Sequence, residues 1–128
     1  MKRELQIATL PVVALRGLVI FPKMMLHFDI GRKKSAAALN AAMEGEREIF
    51  LVAQKDLQED DPKQSDLYAC GVVASVRQVL RLPGTDNIRV VVEGRYRAGL
   101  IELTQDDPFL CGIVREKRTV RALSLIHI

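Results

Sequence analysis

The sequence predicts a mainly β fold with one α-helix, whose antiparallel strands bend into a barrel. Residues 70–82 carry the cleanest alternation of apolar and polar side chains in the chain, which is typical of a half-buried strand. Residues 88–93 alternate in the same way and follow a glycine-containing turn of hairpin length at 83–87. These two segments are therefore expected to pair as neighbouring strands.

A single helix is expected over residues 35–44, where alanines accompany Leu39 and Met43 at helical spacing. Gly45 is expected to stop it. Three cations precede this segment, although the amino end of a helix favours anions. Either the helix begins with Ser35 as its N-cap and leaves these cations outside, or the cations serve another purpose.

The remaining segments bring the expected total to about seven strands. Further strands are predicted over residues 10–15, 18–21, 25–30, 48–54 and 108–116. In the strand at 70–82 the inward residues are predicted to be Val72, Ala74, Val76, Leu80 and Leu82. Later inward positions are predicted to be Tyr96, Ala98 and Leu100, with Phe109, Cys111 and Ile113 sharing one face of the last strand. Because Ile101 and Leu103 are out of phase, Gly99 is predicted to form a β-bulge.

Composition indicates one compact domain with its own core, since the chain has 128 residues and 48% hydrophobic content. No apolar run approaches the roughly 20 residues that span a bilayer, and the first residues lack a signal-peptide core. We therefore expect a cytoplasmic domain without a membrane partner. Cys70 and Cys111 lie outside any CxxC spacing and are expected to be free, buried thiols, with an isolated disulfide as the alternative.

The net charge of +3 is too small to argue by itself for nucleic acid as the partner. Arg95 and Arg97 flank Tyr96, a pattern that can bind RNA. However, Tyr96 fits the inward face, and the chain has no tryptophan. An acidic segment at 56–66 and a basic one at 114–121 give the domain two opposite poles, which suit docking against other domains but are also typical of a solvated surface.

No catalytic, metal or cofactor site is indicated by the sequence. The phosphate-binding patterns GxxxxGKS/T and GxGxxG, the zinc pattern HExxH and paired-cysteine metal spacing are all missing. His27 lies within an apolar strand and is interpreted as packed or surface-exposed, not as a ligand. Lys34 and Ser35 are adjacent on a helix start and cannot face each other as a catalytic dyad.

Four colinear blocks carry a resemblance to a known family. The stretch LPVVALRGLVIFPKMMLHFDIGRKKSAAAL resembles the amino-terminal domain of ATP-dependent Lon proteases. So do FLVAQKD (50–56), DLYACGVVASVRQVLRLP (66–83) and VVVEGRYRAGL (90–100). The match runs from about residue 10 to residue 113 and departs from the family pattern at Gly17, within 32–34 and in the turn at 83–87.

The resemblance implies a PUA-like barrel of mostly antiparallel strands over residues 1–118, with a helix packed on it. Residues 119–128 are expected to be disordered or artefactual, because 122–128 do not resemble the family. The implied function is recognition of unfolded or damaged protein clients and support of a hexameric homo-oligomer. ATP, Mg²⁺ and Ser–Lys peptide cleavage would belong to the AAA+ and protease domains of the parent, which this chain is expected to lack. The alternatives are a stand-alone binding module and a PUA-like RNA binder.

The first candidate binding surface consists of Phe21, Pro22, Met24 and Met25. Methionine adapts its shape to varied ligands, and exposed apolar clusters mark interaction sites. An extended client segment could also add to a strand edge near Pro22. The alternative is that Met24 and Met25 belong to the barrel core.

The second candidate surface is the basic run Arg32, Lys33 and Lys34. It is interpreted as an assembly or docking surface that could meet an acidic loop, such as residues 56–61, of a neighbouring copy. Single surface ion pairs contribute only ~0–1 kcal/mol, so a cluster would be needed. The alternative is that the run is merely solvated.

Overall fold

A computed structural model describes residues 7–15, 22–31, 33–55, 63–81, 83–84, 87–105 and 109–117. The elements are β1 (Ile7–Leu15), β2 (Met25–Ile30), α1 (Lys33–Glu44), β3 (Glu48–Ala53), a 3-10 turn (Gln64–Asp66), β4 (Cys70–Arg81), β5 (Ile88–Gln105) and β6 (Cys111–Glu116). None of the helices in these ranges has the length and apolar character to cross a membrane. The predicted strand at 18–21, the acidic loop at 56–61 and the tail at 119–128 lie outside the described residues.

Five of the six described strands pair in a closed ring, in agreement with the predicted mainly β fold. The strand order is β2-β5-β4-β3-β1-β6, and β6 pairs with β5 as well as with β1. Strand β5 can close the ring because it is 18 residues long, pairing first with β2 and β4 and later with β6. We call β1, β3, β4, β5 and β6 the ring. The sheet of β2 with residues 88–93 and 75–81 is called the wing.

One pairing departs from the predicted, mostly antiparallel pattern, since β1 and β3 run parallel. A parallel pair requires a crossover between its strands. Here the chain makes that crossover through β2 and α1. The other described pairings are antiparallel, so the sheet is mixed.

Two hydrophobic cores lie on the two faces of the sheet. The helix-side core comprises Val13, Leu15, Ile30, Ala38, Leu39, Ala42, Ile49, Leu51, Ala74, Val76, Ile88, Val90 and Val92. The ring core comprises Leu10, Val12, Ala14, Phe50, Val52, Leu67, Val73, Ala98, Leu110 and Val114. Because every ring strand contributes to the second set, that core fills the ring. Strands β1 and β3 are buried on both faces, as their near-continuous apolar sequences indicate.

Two bulged arginines transfer β4 and β5 from one core to the other. The register of the β4–β5 ladder shifts so that Arg95 and Arg77 have no direct cross-strand partner. An extra residue in one strand inverts the side-chain alternation that follows it. The even positions of β5 therefore pack in the helix-side core before Arg95 and in the ring core after it.

The bulge at Arg77 overturns the prediction for the end of β4. Residues 72–76 are buried on both faces, whereas after Arg77 it is Val79 that packs on the helix-side core. Leu80, predicted to face inward, is 43% exposed. Leu82 lies outside the described residues. The sequence shows a break at the same place, since Arg77 and Gln78 are consecutive polar residues and Val79 and Leu80 are consecutive apolar ones, but only the pairing with β5 assigns the bulge to Arg77.

Gly99 is not a bulge, which corrects a second prediction. It pairs with both Cys70 and Arg115, and the register shift in the β5–β6 ladder falls at Ile101. The predicted change in side-chain alternation does occur, because the inward positions switch from even to odd residues: Leu103 packs on the ring core, while Ile101 is exposed. A Cβ at position 99 would lie 3.0 Å from Lys117 Cε, at the flexible end of that side chain.

Helix α1 begins at Lys33, so Ser35 lies within it and is not its N-cap. Cations in a first helical turn cost at most about 1 kcal/mol each, and burial of Ala38, Leu39 and Ala42 outweighs that cost. The helix ends at Glu44, just before Gly45 as predicted. The left-handed residue is Arg47, however, with a φ of 63° and its N–H donating to the Ala42 carbonyl at 2.9 Å.

The last strand starts later than predicted, at Cys111, and its more buried face is not the predicted one. Gly112, Val114 and Glu116 are buried, whereas Cys111 and Ile113 are only half-buried. The reason is ring closure, because Val114 must pack inside the ring when β6 pairs with β1 on one side and β5 on the other.

Candidate functional site

The turn before β2 is anchored to the middle of β5. Lys23 has a left-handed backbone, with a φ of 67°, and its N–H donates to the Gly94 carbonyl at 2.7 Å. The Gly94 N–H in turn donates to the Met24 carbonyl at 2.9 Å. These two bonds fix the backbone that carries Met24 and Met25 at the corner of the wing.

Met24 and Met25 lie on the surface, so the alternative that they belong to the core does not hold. Their exposed fractions are 37% and 56%, and neither belongs to the helix-side core or the ring core. Pro22 is half-buried beside them. Phe21 lies outside the described residues. The structure thus brings together three of the four residues of the first candidate surface, which we call the methionine patch.

A charged row borders the methionine patch. Met25 lies opposite Glu93, which accepts hydrogen bonds from the guanidinium of Arg77, with Nε at 3.0 Å. Farther along the row, Arg95 Nη1 donates to Ser75 Oγ at 3.3 Å, and its Nε lies 3.6 Å from Glu48 Oε2. The two bulged arginines therefore hold the charges on this face beside an apolar corner.

The same face of the wing carries a second ion pair, between Asp29 of β2 and Arg89 of β5. Arg89 Nε and Nη2 donate to the two carboxylate oxygens at 2.9 and 3.3 Å. These hydrogen bonds lower the pKa of Asp29 and raise the pKa of Arg89. Both side chains are exposed, so the pair orients β2 on β5 but contributes little to stability.

The second candidate surface lies at the other end of β2. Lys33 is exposed and Lys34 half-buried in the first turn of α1. Arg32 lies outside the described residues, as does the acidic segment 56–61. An extended strand rises about 3.3 Å per residue, so the two ends of β2 are roughly 17 Å apart. The methionine patch and the lysines are therefore two separate surfaces.

Gln64 is a structural residue that the sequence did not identify. Its side-chain Nε2 donates to the Ile101 carbonyl at 3.2 Å, and its Oε1 accepts from the Leu103 N–H at 3.1 Å. The side-chain amide thus donates one hydrogen bond to β5 and accepts one, as the backbone of a paired strand residue would. It does so at residues 101–103 of β5, which lie past the end of the pairing with β4. A surface depression of about 300 Å³ lies beside it, lined by Lys63, Gln64, Leu103, Thr104 and Gln105.

The described residues offer no constellation for metal chemistry, because no group of three or more His, Cys, Asp or Glu side chains converges in these ranges. Cys70 and Cys111 are both free, as expected. Cys70 is exposed and not buried, which corrects the prediction, since the doubly buried part of β4 begins only at Val72. Lys117 Nζ donates to Cys70 Sγ at 2.7 Å.

Tyr96 packs against the ring core, as its position in the sequence pattern predicts. Its neighbour Arg95 is engaged with Ser75 and Glu48. Tyr96 is thus half-buried and part of the margin of that core, in agreement with its predicted inward position.

Sequence comparison identifies relatives of this domain. A profile described as the ATP-dependent protease La (LON) substrate-binding domain matches residues 9–124. The Lon protease of Syntrophomonas wolfei subsp. wolfei is 45% identical over 109 residues, which are 85% of this chain and 13% of that protein. The Lon protease of Clostridium acetobutylicum is 45% identical over 101 residues, 79% of this chain and 13% of that protein. The chain spans only this small part of both relatives.

Solved structures share the fold at low sequence identity. The amino-terminal domain of a Mycobacterium avium complex Lon protease superposes with a TM-score of 0.66 at 19% identity, covering 88% of this chain and 55% of that one. A Lon amino-terminal domain protein from Xanthomonas campestris superposes with a TM-score of 0.60 at 11% identity, covering 86% of this chain and 57% of that one.

Proposed function

Since the chain belongs to the family of Lon substrate-binding domains, we propose that it recognises unfolded or damaged protein clients for a Lon protease. The observation that carries the proposal is the exposure of Met24 and Met25 on a turn held rigidly against Gly94. Methionine is unbranched and polarisable, so it can pack against many different apolar side chains. Such a surface suits clients that share exposed apolar residues but no sequence.

The strength of such a contact can be bounded. Fully burying a methionine side chain contributes about 1.5–3 kcal/mol. Met24 and Met25 are already partly covered, so they gain less than this, while association itself costs several kcal/mol. One methionine patch therefore binds weakly. Several copies in an oligomer would hold a client more tightly through effective concentration, which agrees with the proposed hexameric parent.

The chemistry of degradation is assigned to other parts of the parent protein. In this proposal ATP and Mg²⁺ act in an AAA+ domain and peptide bonds are cleaved by a Ser–Lys protease domain, in the cytoplasm. The residues of this chain contribute binding and no catalytic step. Adding this chain to casein with ATP should therefore release no peptides.

The methionine patch is tested by the double substitution Met24→Ser/Met25→Ser. We expect at least about tenfold weaker binding of a permanently unfolded reporter, such as reduced and alkylated α-lactalbumin, measured by fluorescence anisotropy. The matched control is Leu80→Ser/Ile101→Ser, which removes two apolar side chains of similar exposure elsewhere. Unchanged reporter affinity in the methionine variant, with its thermal unfolding intact, would exclude the patch.

The basic run is proposed to support assembly. We expect Lys33→Glu/Lys34→Glu to weaken self-association in sedimentation velocity, because a cluster of like charges would be reversed. Arg47→Glu/Arg81→Glu serves as control, since both arginines are exposed and lie outside α1 and outside the basic segment at 114–121. If the two variants sediment alike, the lysines take no part in self-association.

A further inference from the structure

We propose that the outer edge of β2 binds an extended client segment as an additional strand, so that the domain recognises the client's backbone as well as its side chains. The inference rests on the proposed function, since it names how a client of the methionine patch would be held. Four observations on the wing support it.

In β2, the alternation of hydrogen bonding leaves the backbone N–H and C=O groups of three residues pointing away from β5. In an antiparallel ladder the residues whose N–H and C=O face the partner strand alternate with residues whose groups face outward. The Gly94 N–H donates to the Met24 carbonyl, and Met25 lies opposite Glu93. Consequently Leu26, Phe28 and Ile30 bond to β5, whereas the N–H and C=O groups of Met25, His27 and Asp29 point outward.

No described residue pairs with that outward edge. Strand β2 is the terminal strand of the sheet, and within the described ranges it pairs with β5 alone. Three donors and three acceptors are therefore presented in register, which is the requirement for adding a strand to a sheet. The edge available to an added strand extends from Lys23, in the turn before β2, to Gly31, before α1.

The side chains of β2 define which segment fits. Leu26 and Phe28 pack on the margin of the helix-side core but are only half-buried. Alternate side chains of an added strand would lie beside these two residues and extend that core. The other side chains would lie beside Met25 and His27 on the exposed face. The occupant is therefore an unfolded segment with apolar residues at every second position, and many buried strands have this pattern.

The other candidate edges are less suited to accept a strand. Residues 77–81 of β4 carry the Arg77 bulge and an exposed Arg81, and bulges and charges are devices that discourage edge pairing. The edge of β5 near Ile101 and Leu103 is occupied by the Gln64 amide. Strands β1, β3 and β6 each pair with two neighbours.

The experiment uses the 128-residue chain and a synthetic peptide with valine at alternate positions and threonine between them. Two N-methylated versions keep every side chain, one methylated at the valines and one at the threonines. Because alternate N–H groups of a strand point to opposite sides, only one set can face β2. We expect one methylated version to bind at least about tenfold more weakly and the other to bind like the parent peptide.

Hydrogen exchange supplies a second readout that does not depend on a variant. Saturation with the parent peptide should slow exchange of the Met25, His27 and Asp29 amides at least about tenfold. The amides of Leu26 and Phe28 should be protected with or without peptide. His27→Pro should weaken peptide binding, because it removes an outward N–H that the added strand would use, whereas His27→Thr keeps that N–H and should not. The proline variant should still fold, because proline is tolerated at an edge position whose N–H faces outward.

The outcomes separate this inference from the proposed function. If both methylated peptides bind like the parent, or both are weakened equally, the backbone is not read and the edge inference fails. In that case the unfolded reporter would still bind in a Met24- and Met25-dependent manner. If neither the reporter nor the parent peptide binds at all, the proposed function itself fails.

Discussion

The ring and the wing solve the same problem of sheet edges in different ways. In the ring, β5 pairs with β6 and closes the ladder, so that each ring strand finds partners within the fold. The wing ends at β2, whose outer groups pair with no described strand. Closure stabilises and isolates the ring, whereas an edge strand is a template for another chain. One small domain therefore combines a closed half with an open half, and our two binding proposals for the wing concern the open half.

The largest expected difference between the two halves is in core packing. Phe50 is fully buried in the ring core, and Phe50→Ala should lower the free energy of unfolding by about 3–5 kcal/mol. Phe28 is only half-buried at the margin of the wing, so Phe28→Ala should cost less, about 1–2 kcal/mol. Urea unfolding at equilibrium measures both. Equal losses would show that β2 is as integral to the fold as the ring.

A smaller effect is expected where a side chain substitutes for a strand. Gln64→Ala removes two hydrogen bonds to β5 and should cost about 1 kcal/mol, because the exposed partners can bond to water instead. The Leu103 amide should then exchange with solvent faster. Gln78→Ala, on the exposed face of β4, is the control and should leave Leu103 exchange unchanged. Unaltered exchange in the Gln64 variant would mean that this part of the β5 edge is protected by another group.

The smallest effect concerns the ion pair that orients β2. Arg89 lowers the pKa of Asp29 below the ordinary value of 3.8, so the folded state holds the carboxylate ionised more readily than the unfolded state. The resulting stabilisation is present above the unfolded pKa and is lost as the pH falls through the lower folded pKa.

Urea midpoints of the parent chain and Asp29→Asn should therefore differ slightly near neutral pH and converge in acid. Glu102→Gln, which removes another exposed carboxylate of β5, is the matched control for the loss of one surface charge. A difference that persists at low pH would assign the effect to something other than this charge.

Prediction from sequence succeeded where the signal is local. Strand β2 has the predicted bounds, and the helix ends at Glu44 as predicted. The predicted helix start, Ser35, was wrong. Lys33 and Lys34 locally disfavour the first helical turn, but the packing of Leu39 against β1 and β3 stabilises the helix as a whole. The change of phase near Gly99 was detected but misplaced by two residues, since the ladder with β6 shifts at Ile101.

The features of the candidate site also fall into those that a local pattern indicates and those that depend on distant contacts. Two methionines beside a proline indicated an interaction surface, and both proved to be exposed. No local pattern revealed that Gly94 anchors their turn, that Glu93 and Arg77 border them, or that β2 is an edge strand. Each of these depends on contacts between segments far apart in the chain.

The helix, most of the strands, the apolar face of the first part of β5 and the family of the domain can all be predicted from the sequence. Three features emerge only in the folded molecule: β1 and β3 run parallel, β5 closes the ring, and Arg77 and Arg95 are bulges. The physical reason is that alternation is a property of one strand, whereas register and closure are properties of two. Arg95 illustrates the point, because one extra residue moves an unbroken apolar face of β5 from the helix-side core into the ring core.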